Sequence, residues 1–290
     1  MGKIAIVTDS SSGISQAMGT GLGIFVLPMP FMIDGRPYLD GKDLTESWFY
    51  ERQNADSDIM SSQPAPVDVT ALWDELLKDH DQIVHIPLSS GLSNSCATAM
   101  MLAGNYDGKV QVVDNQRISI TQRRSVMEAI RMAEMGYDAA KIKRILEETK
   151  LESSIYITLV TLKYLKKGGR LTPAAAALGT VLRLKPVLQI QGEKLDSFYK
   201  ARTMNQAKKV MIDAIKSDIE NRFGGLDAKD VYIDMAYTNN RDAALEWQKE
   251  VMEAFPGFEI GYLDPLSLNV ACHIGEGALA VTATRKLHLD

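Results

Sequence analysis

Ile83-Val84-His85-Ile86-Pro87-Leu88-Ser89-Ser90-Gly91-Leu92-Ser93-Asn94-Ser95-Cys96-Ala97-Thr98-Ala99 is the stretch on which the fold turns. Its first half is a short apolar run that reads as a buried strand. Its second half reads as a small-residue helix, with Ser89-Ser90-Gly91-Leu92-Ser93 as the turn between them. In open α/β sheets ligands gather at the carboxyl ends of strands, and a helix N-terminus offers unpaired N–H groups and the positive end of a dipole. The expected ligand is therefore an anion. The same residues also serve a plainer purpose, because serine is a preferred helix N-cap and glycine a preferred turn residue.

Working outward, the chain repeats this arrangement. Lys3 to Val7 is a short strand closed by the hydroxyl-rich Thr8-Asp9-Ser10-Ser11-Ser12-Gly13. Ser61-Ser62-Gln63-Pro64-Ala65-Pro66 is a second such loop, kept extended by its prolines, and leads through Val67–Thr70 into a helix from Ala71 to Leu77. Val110 to Val113 is a strand with Asp114-Asn115 at its end. Asp34-Gly35 between strand-like runs signals a hairpin turn. Thr45 to Gln53 reads as a helix capped by Thr45, and Thr121 to Lys150 as two helices with Gly136 between them. Gly19-Thr20-Gly21-Leu22-Gly23 lacks both the preceding strand and the spacing of a dinucleotide loop, so it reads as a helix end before the strand Ile24 to Leu27.

The alternation of strand and helix argues a mostly parallel sheet with helices on both faces. A change of domain is expected near residues 150–155, giving an N-terminal α/β domain, 1–152, and a C-terminal α/β domain, 153–290. The second domain opens with a strand at Ile155–Thr161, followed by the basic glycine turn Lys166-Lys167-Gly168-Gly169-Arg170-Leu171 and a helix from Ala174 to Leu182. Lys185 to Ile190 is a further strand. Ala201-Arg202-Thr203 precedes a helix carrying Met211, Ile215 and Ile219, and Val231–Met235 alternates as a half-buried strand. His273-Ile274-Gly275-Glu276-Gly277-Ala278 reads as a last glycine-rich loop before a final strand.

Composition narrows the function. The 290 residues are 46% hydrophobic and 24% charged with a net charge of −5, as expected of a water-soluble globular protein. That balance, without a basic stripe, argues against nucleic acid as a partner. No apolar run approaches the roughly 18 residues needed to span a bilayer and no leader-like segment opens the chain, which points to the cytoplasm. Cys96 and Cys272 sit in apolar company and read as reduced core residues. No metal-ligand spacing of Cys or His is present.

Taken together and in order, Thr8-Asp9-Ser10-Ser11, Ser61-Ser62-Gln63-Pro64, Ser89-Ser90-Gly91-Leu92-Ser93, Gly168-Gly169-Arg170, Lys185-Pro186, Ala201-Arg202-Thr203 and His273-Ile274-Gly275-Glu276-Gly277-Ala278 resemble the DegV family of bacterial fatty-acid-binding proteins. The resemblance runs over essentially the whole chain, about 3–285. It implies a two-domain α/β fold that buries one long-chain fatty acid, such as palmitate or oleate, in a tunnel between the domains. It further implies that a separate fatty acid kinase phosphorylates the bound acid to an acyl phosphate for phospholipid synthesis. The chain would then be a lipid carrier, without catalysis or cofactor of its own, for which transient membrane contact is compatible.

By motif, the resemblance puts the carboxylate ligands at Ser61, Ser93 and His273, and head-group or kinase-facing cations at Arg170 and Arg202. Three departures from the family pattern stand out. Ser61-Ser62-Gln63-Pro64 replaces Thr-Ser-Gln-Pro, Asn94 replaces a glycine, and Glu276 brings a carboxylate toward the expected head group, so it either points outward or weakens that siting.

The chemistry is consistent. A buried carboxylate is costly unless hydrogen-bonded, and two hydroxyls, backbone N–H groups and the His273 imidazole would supply the bonds without a permanent salt bridge; protonation of His273, tunable around neutral pH, would also neutralise the acid. Each residue also has a structural alternative: Ser61 and Ser93 as turn and helix caps, His273 as a satisfied buried histidine, and Arg170 and Arg202 as solvated charges. His80, His85 and His288 lack supporting motifs and read as structural. Two other functional classes start from the same residues. An acyl hydrolase would need a G-x-S-x-G elbow, which Ser89–Ser93 is not, and a phosphotransferase would need a phosphate loop, which is absent.

Overall fold

The structure is a computed structural model and describes residues 2–170, 184–193 and 195–289. The helix expected at Ala174–Leu182 lies outside the described residues. Contacts divide the chain into two compact units. The first comprises Met1–Thr45, Asp58–Leu151 and Leu289–Asp290; the second comprises Glu46–Ser57 and Glu152–His288.

The first unit is built on a four-stranded sheet of β1 (Ile4–Asp9), β2 (Phe25–Leu27), β6 (Gln82–Ile86) and β7 (Val110–Val112), in the order β2-β1-β6-β7 and parallel throughout. β1 and β6 are buried along nearly their whole length, as expected of parallel strands covered on both faces. Ala5, Val7 and Ile83 pack against Val69, Trp73 and Leu76 of α3 (Pro66–Leu76) and Cys96 and Ala99 of α4 (Ser95–Ala103). Strand alternation turns Ile6 and Val84 the other way, and α5 (Ser119–Glu134) and α6 (Ala139–Glu148) pack onto β1, β6 and β7. α1 (Gln16–Leu22) ends on Gly23 in the left-handed conformation, as the sequence predicts. A second, antiparallel sheet runs β4-β3-β5, from β3 (Pro30–Ile33), β4 (Arg36–Leu39) and β5 (Ile59–Ser61). The β3–β4 turn is Asp34-Gly35, both at positive φ, the twist that a two-residue hairpin prefers.

The second unit carries a six-stranded sheet ordered β10-β9-β8-β13-β11-β12. Its strands are β8 (Ser153–Thr158), β9 (Lys185–Ile190), β10 (Leu195–Ala201), β11 (Val231–Tyr237), β12 (Glu259–Pro265) and β13 (Leu279–Arg285). Only the β11–β12 pair is parallel. α8 (Met204–Ser217) and α9 (Arg241–Ala254) lay Met211, Ile215, Trp247 and Val251 on Val187, Ile233 and Val281 to form its core. Three short helices, α2 (Glu46–Asn54), α7 (Lys163–Gly168) and α10 (Leu268–Ile274), also belong to this unit, and α10 contacts both of the others.

Several local expectations are revised. α3 begins at Pro66 rather than Ala71, because proline suits the first helical position, where its missing N–H is no loss. α4 begins at Ser95, so Ser89–Asn94 forms a longer turn in which the amides of Leu92 and Ser93 both donate to the Ser89 carbonyl. β11 is buried on both faces along Ile233–Ala236 rather than half-buried. Its Asp234 is fully buried and accepts the Tyr262 N–H where the register shifts. Of the basic segment, Lys166–Gly168 is the last turn of a helix and Gly169 its cap, rather than a free turn. His273 and Ile274, read as loop, close α10. Both cysteines are buried and neither is joined in a disulfide. Among the described residues no helix is long and apolar enough to cross a membrane.

Candidate functional site

In the first unit the hydroxyl loops follow the carboxyl ends of strands. Asp9, at the end of β1, is buried. One carboxylate oxygen accepts the Leu88 N–H at 2.7 Å and the other the Ser11 N–H at 3.0 Å, while the Gln122 amide donates from α5 at 3.3 Å. Burial raises its pKa above the usual carboxylate range, and these bonds oppose the rise. Asp9 thus ties the ends of β1 and β6 to α5.

Ser93 is half-buried, and its Oγ accepts the Ser95 N–H at 3.2 Å. Its hydroxyl proton has no acceptor among the described residues, which leaves it available to an anion. Asn94 occupies the N-cap position of α4 without a side-chain capping bond. Ser61 ends β5 opposite Phe31 and is half-buried. The loop after it is fastened to α4, since Thr98 Oγ1 donates to Gln63 Oε1 at 3.2 Å, and Pro64 is buried.

A small internal cavity lies behind these loops, lined by Asp9, Pro64, His85, Ser95 and Thr98, with about one water's worth of free space. His85 is 2% exposed and burial alone lowers its pKa to about 3, so its imidazole is neutral. It meets the Trp73 ring edge-on at 5.6 Å. A separate groove of about 720 Å³ runs beside β2, past Phe25, Leu27, Leu39 and Leu72. None of the residues predicted to bind the carboxylate lines it.

In the second unit the structure brings two of the predicted residues together. His273 is half-buried on the last turn of α10, and Arg170 follows α7. Burial first, and then the Arg170 charge, lower the His273 pKa from 6.5 to about 4. The imidazole of the protein without ligand is therefore neutral at pH 7. Arg170 Nη1 donates to the Gly168 carbonyl at 2.5 Å. Arg202 is exposed at the entry to α8, where its own N–H donates to Gln206 Oε1. Its guanidinium has no hydrogen-bond or ion-pair partner among the described residues. Glu276 is exposed and accepts a bond from Asn239 Nδ2 at 2.9 Å, so it points outward.

Residues that sequence reading overlooks hold His273. Gln53 of α2 donates to the carbonyls of Ala271 at 3.1 Å and Cys272 at 3.4 Å, and Tyr164 of α7 donates its hydroxyl to the Gln53 carbonyl at 3.4 Å. Thr238, fully buried after β11, donates its hydroxyl to the Gly275 carbonyl at 2.7 Å and accepts the Ala278 N–H at 2.9 Å, closing the loop behind His273. Among the described residues no cluster of His, Cys, Asp or Glu is arranged to hold a metal ion.

Comparison with known proteins places this arrangement in a family. The family profile described as uncharacterised protein, DegV family, matches residues 3–286. The DegV domain-containing protein lin2658 of Listeria innocua is 31% identical over 287 residues, covering 97% of this chain and 98% of its own. A solved DegV family protein from Thermus thermophilus, described by its fatty acid binding, superposes with a TM-score of 0.88 at 28% identity, covering 98% of this chain and 99% of its own. DegV of Bacillus subtilis, described as a fatty acid binding protein, superposes with a TM-score of 0.85 at 26% identity, covering 99% and 100%. With the family profile matched over 3–286, a relative 31% identical over nearly the whole chain and the mixed α/β fold shared from end to end, the chain belongs to the DegV family.

Proposed function

We propose that this protein binds one long-chain fatty acid, of the palmitate or oleate class, and holds its carboxylate with Ser61, Ser93 and His273. The observation that carries the reading is the end-to-end similarity to the Thermus and Bacillus proteins, each described by fatty acid binding. The local chemistry agrees with it. Ser93 has a hydroxyl proton without an acceptor among the described residues, and a neutral imidazole such as that of His273 carries one N–H. Arg170 beside it supplies a cation without a carboxylate partner of its own among the described ion pairs. A carboxylate arriving there opposes the effect of Arg170 and draws the His273 pKa back up. The acyl chain adds about 0.8 kcal/mol for each buried methylene, so a chain of roughly 16 carbons has ample driving force to leave water.

In the fuller form of the proposal, the protein is a cytoplasmic carrier with no catalysis of its own. It offers the bound acid to a separate fatty acid kinase for acyl phosphate formation, with Arg170 and Arg202 facing the head group or that kinase. The test is the double variant Ser93→Ala/His273→Ala, titrated with palmitate by displacement of a fluorescent fatty acid. Affinity is expected to fall at least a hundredfold. Retention of wild-type affinity would remove both residues from the carboxylate role.

A further inference from the structure

The sequence places two glycines side by side in Gly168-Gly169-Arg170, and the structure gives them different reasons. Gly169 ends α7 in the left-handed conformation, φ 68°, and a Cβ built on it would meet nothing within 4 Å. Glycine is needed there for backbone conformation alone. Gly168 is not among the positive-φ residues, so its backbone would accept any side chain. What excludes one is space. A Cβ on Gly168 would lie 2.2 Å from Nδ1, 2.8 Å from Cε1 and 3.4 Å from Cγ of His273. The Nδ1–Cε1 edge of the imidazole therefore lies directly on the Gly168 backbone, and Nε2 is farther away.

The same contact is braced on both sides. Arg170 holds the Gly168 carbonyl, and on the partner helix a Cβ on Gly275 would fall 2.5 Å from Cδ2 of Tyr164. α7 and α10 thus meet through glycines, with the His273 ring and the Tyr164 ring each filling the space that a side chain would have taken.

We propose that Gly168 is a positioning residue for His273: its bare Cα fixes the Nδ1 edge of the ring and thereby sets the direction in which Nε2 is presented to the fatty acid carboxylate. This rests on the reading that His273 receives that carboxylate. A methyl group at position 168 has to push the ring aside, whereas a methyl group at 169 strains the backbone without touching it.

The test is a double-mutant cycle in the full-length protein, with palmitate affinity and urea stability both measured for Gly168→Ala, His273→Ala and the double variant, and urea stability for Gly169→Ala in both His273 backgrounds. Palmitate binding by Gly168→Ala is expected to weaken at least tenfold and the double variant to bind no more weakly than His273→Ala alone, since both changes act through one ring. Gly168→Ala should lower the urea midpoint when His273 is present and far less when it is alanine; Gly169→Ala should cost the same in either background.

Wild-type affinity in Gly168→Ala, with affinity lost in His273→Ala, would overturn the positioning role and leave the proposed function standing. Wild-type affinity in His273→Ala would instead overturn the carboxylate reading, and with it any role for Gly168 in presenting the ring to a carboxylate. If Gly168→Ala alone does not fold, folding of Gly168→Ala/His273→Ala supports the contact. Failure of that double variant as well refutes it.

Discussion

The serine loops of the first unit and the His273 clasp of the second both carry polar groups proposed to hold an anion, but they are built in opposite ways. Ser93 is set by bonds that span a few residues: its Oγ accepts from Ser95, its N–H bonds to the Ser89 carbonyl, and Ser89 Oγ accepts from Gly91. His273 is set by four separate stretches, with Gln53 on α2, Gly168 and Tyr164 on α7, Thr238 after β11, and α10 itself. Local loops of this kind survive small changes around them. A clasp built from distant segments concentrates its strength in a few buried bonds and close approaches, and losing one of them should be felt throughout.

The largest expected effect is therefore at Thr238. Thr238→Val keeps the shape but strands the buried Gly275 carbonyl and Ala278 N–H, at a cost of about 3 kcal/mol in urea unfolding. A loss below about 1 kcal/mol would mean that the loop is held by other contacts.

Next comes acid sensitivity, which sets the two units' histidines against each other. His85 and His273 are both held neutral, with pKa values of about 3 and about 4. Each is lower in the folded than in the unfolded chain, so protons bind the unfolded state preferentially below pH 6.5. The stabilisation is fully present above pH 6.5 and is lost as the pH falls toward 3 to 4. His85→Phe should flatten this fall, removing about 2–3 kcal/mol of the change between pH 6.5 and 4.5. An unaltered pH profile would show that His85 is not the group responsible.

Gln53→Ala should cost about 1–2 kcal/mol and weaken palmitate binding several-fold, because it releases the Ala271 and Cys272 carbonyls beside His273. Equal stability with unchanged affinity would show α2 to be a bystander. The smallest effect is at Lys163, which pairs with Asp56 on the exposed surface. Lys163→Ala should leave the unfolding midpoint unchanged within error.

The same contrast decides what the sequence alone can reveal. The parallel strands of the first unit are legible as apolar runs closed by hydroxyl loops, and the β3–β4 hairpin as Asp34-Gly35, because each signal lies within a few residues of its consequence. The hydroxyl turn that carries Ser93 is legible for the same reason. α10 is not, since a helix of seven residues ending in His273-Ile274-Gly275 has too few turns to show a period, and its glycine reads as loop. The membership of Glu46–Ser57 in the second unit has no signature either, since tertiary contact alone assigns it. Gly168 and Gly169 look identical in sequence. Only the position of the His273 ring separates a glycine needed for space from one needed for conformation.

The most direct test of the central claim is native mass spectrometry of the purified protein incubated with palmitate or oleate, followed by denaturation and extraction. The account predicts one fatty acid per chain, lost on denaturation and recovered intact in the extract. A chain mass that stays at the value of the polypeptide alone with either acid would contradict it.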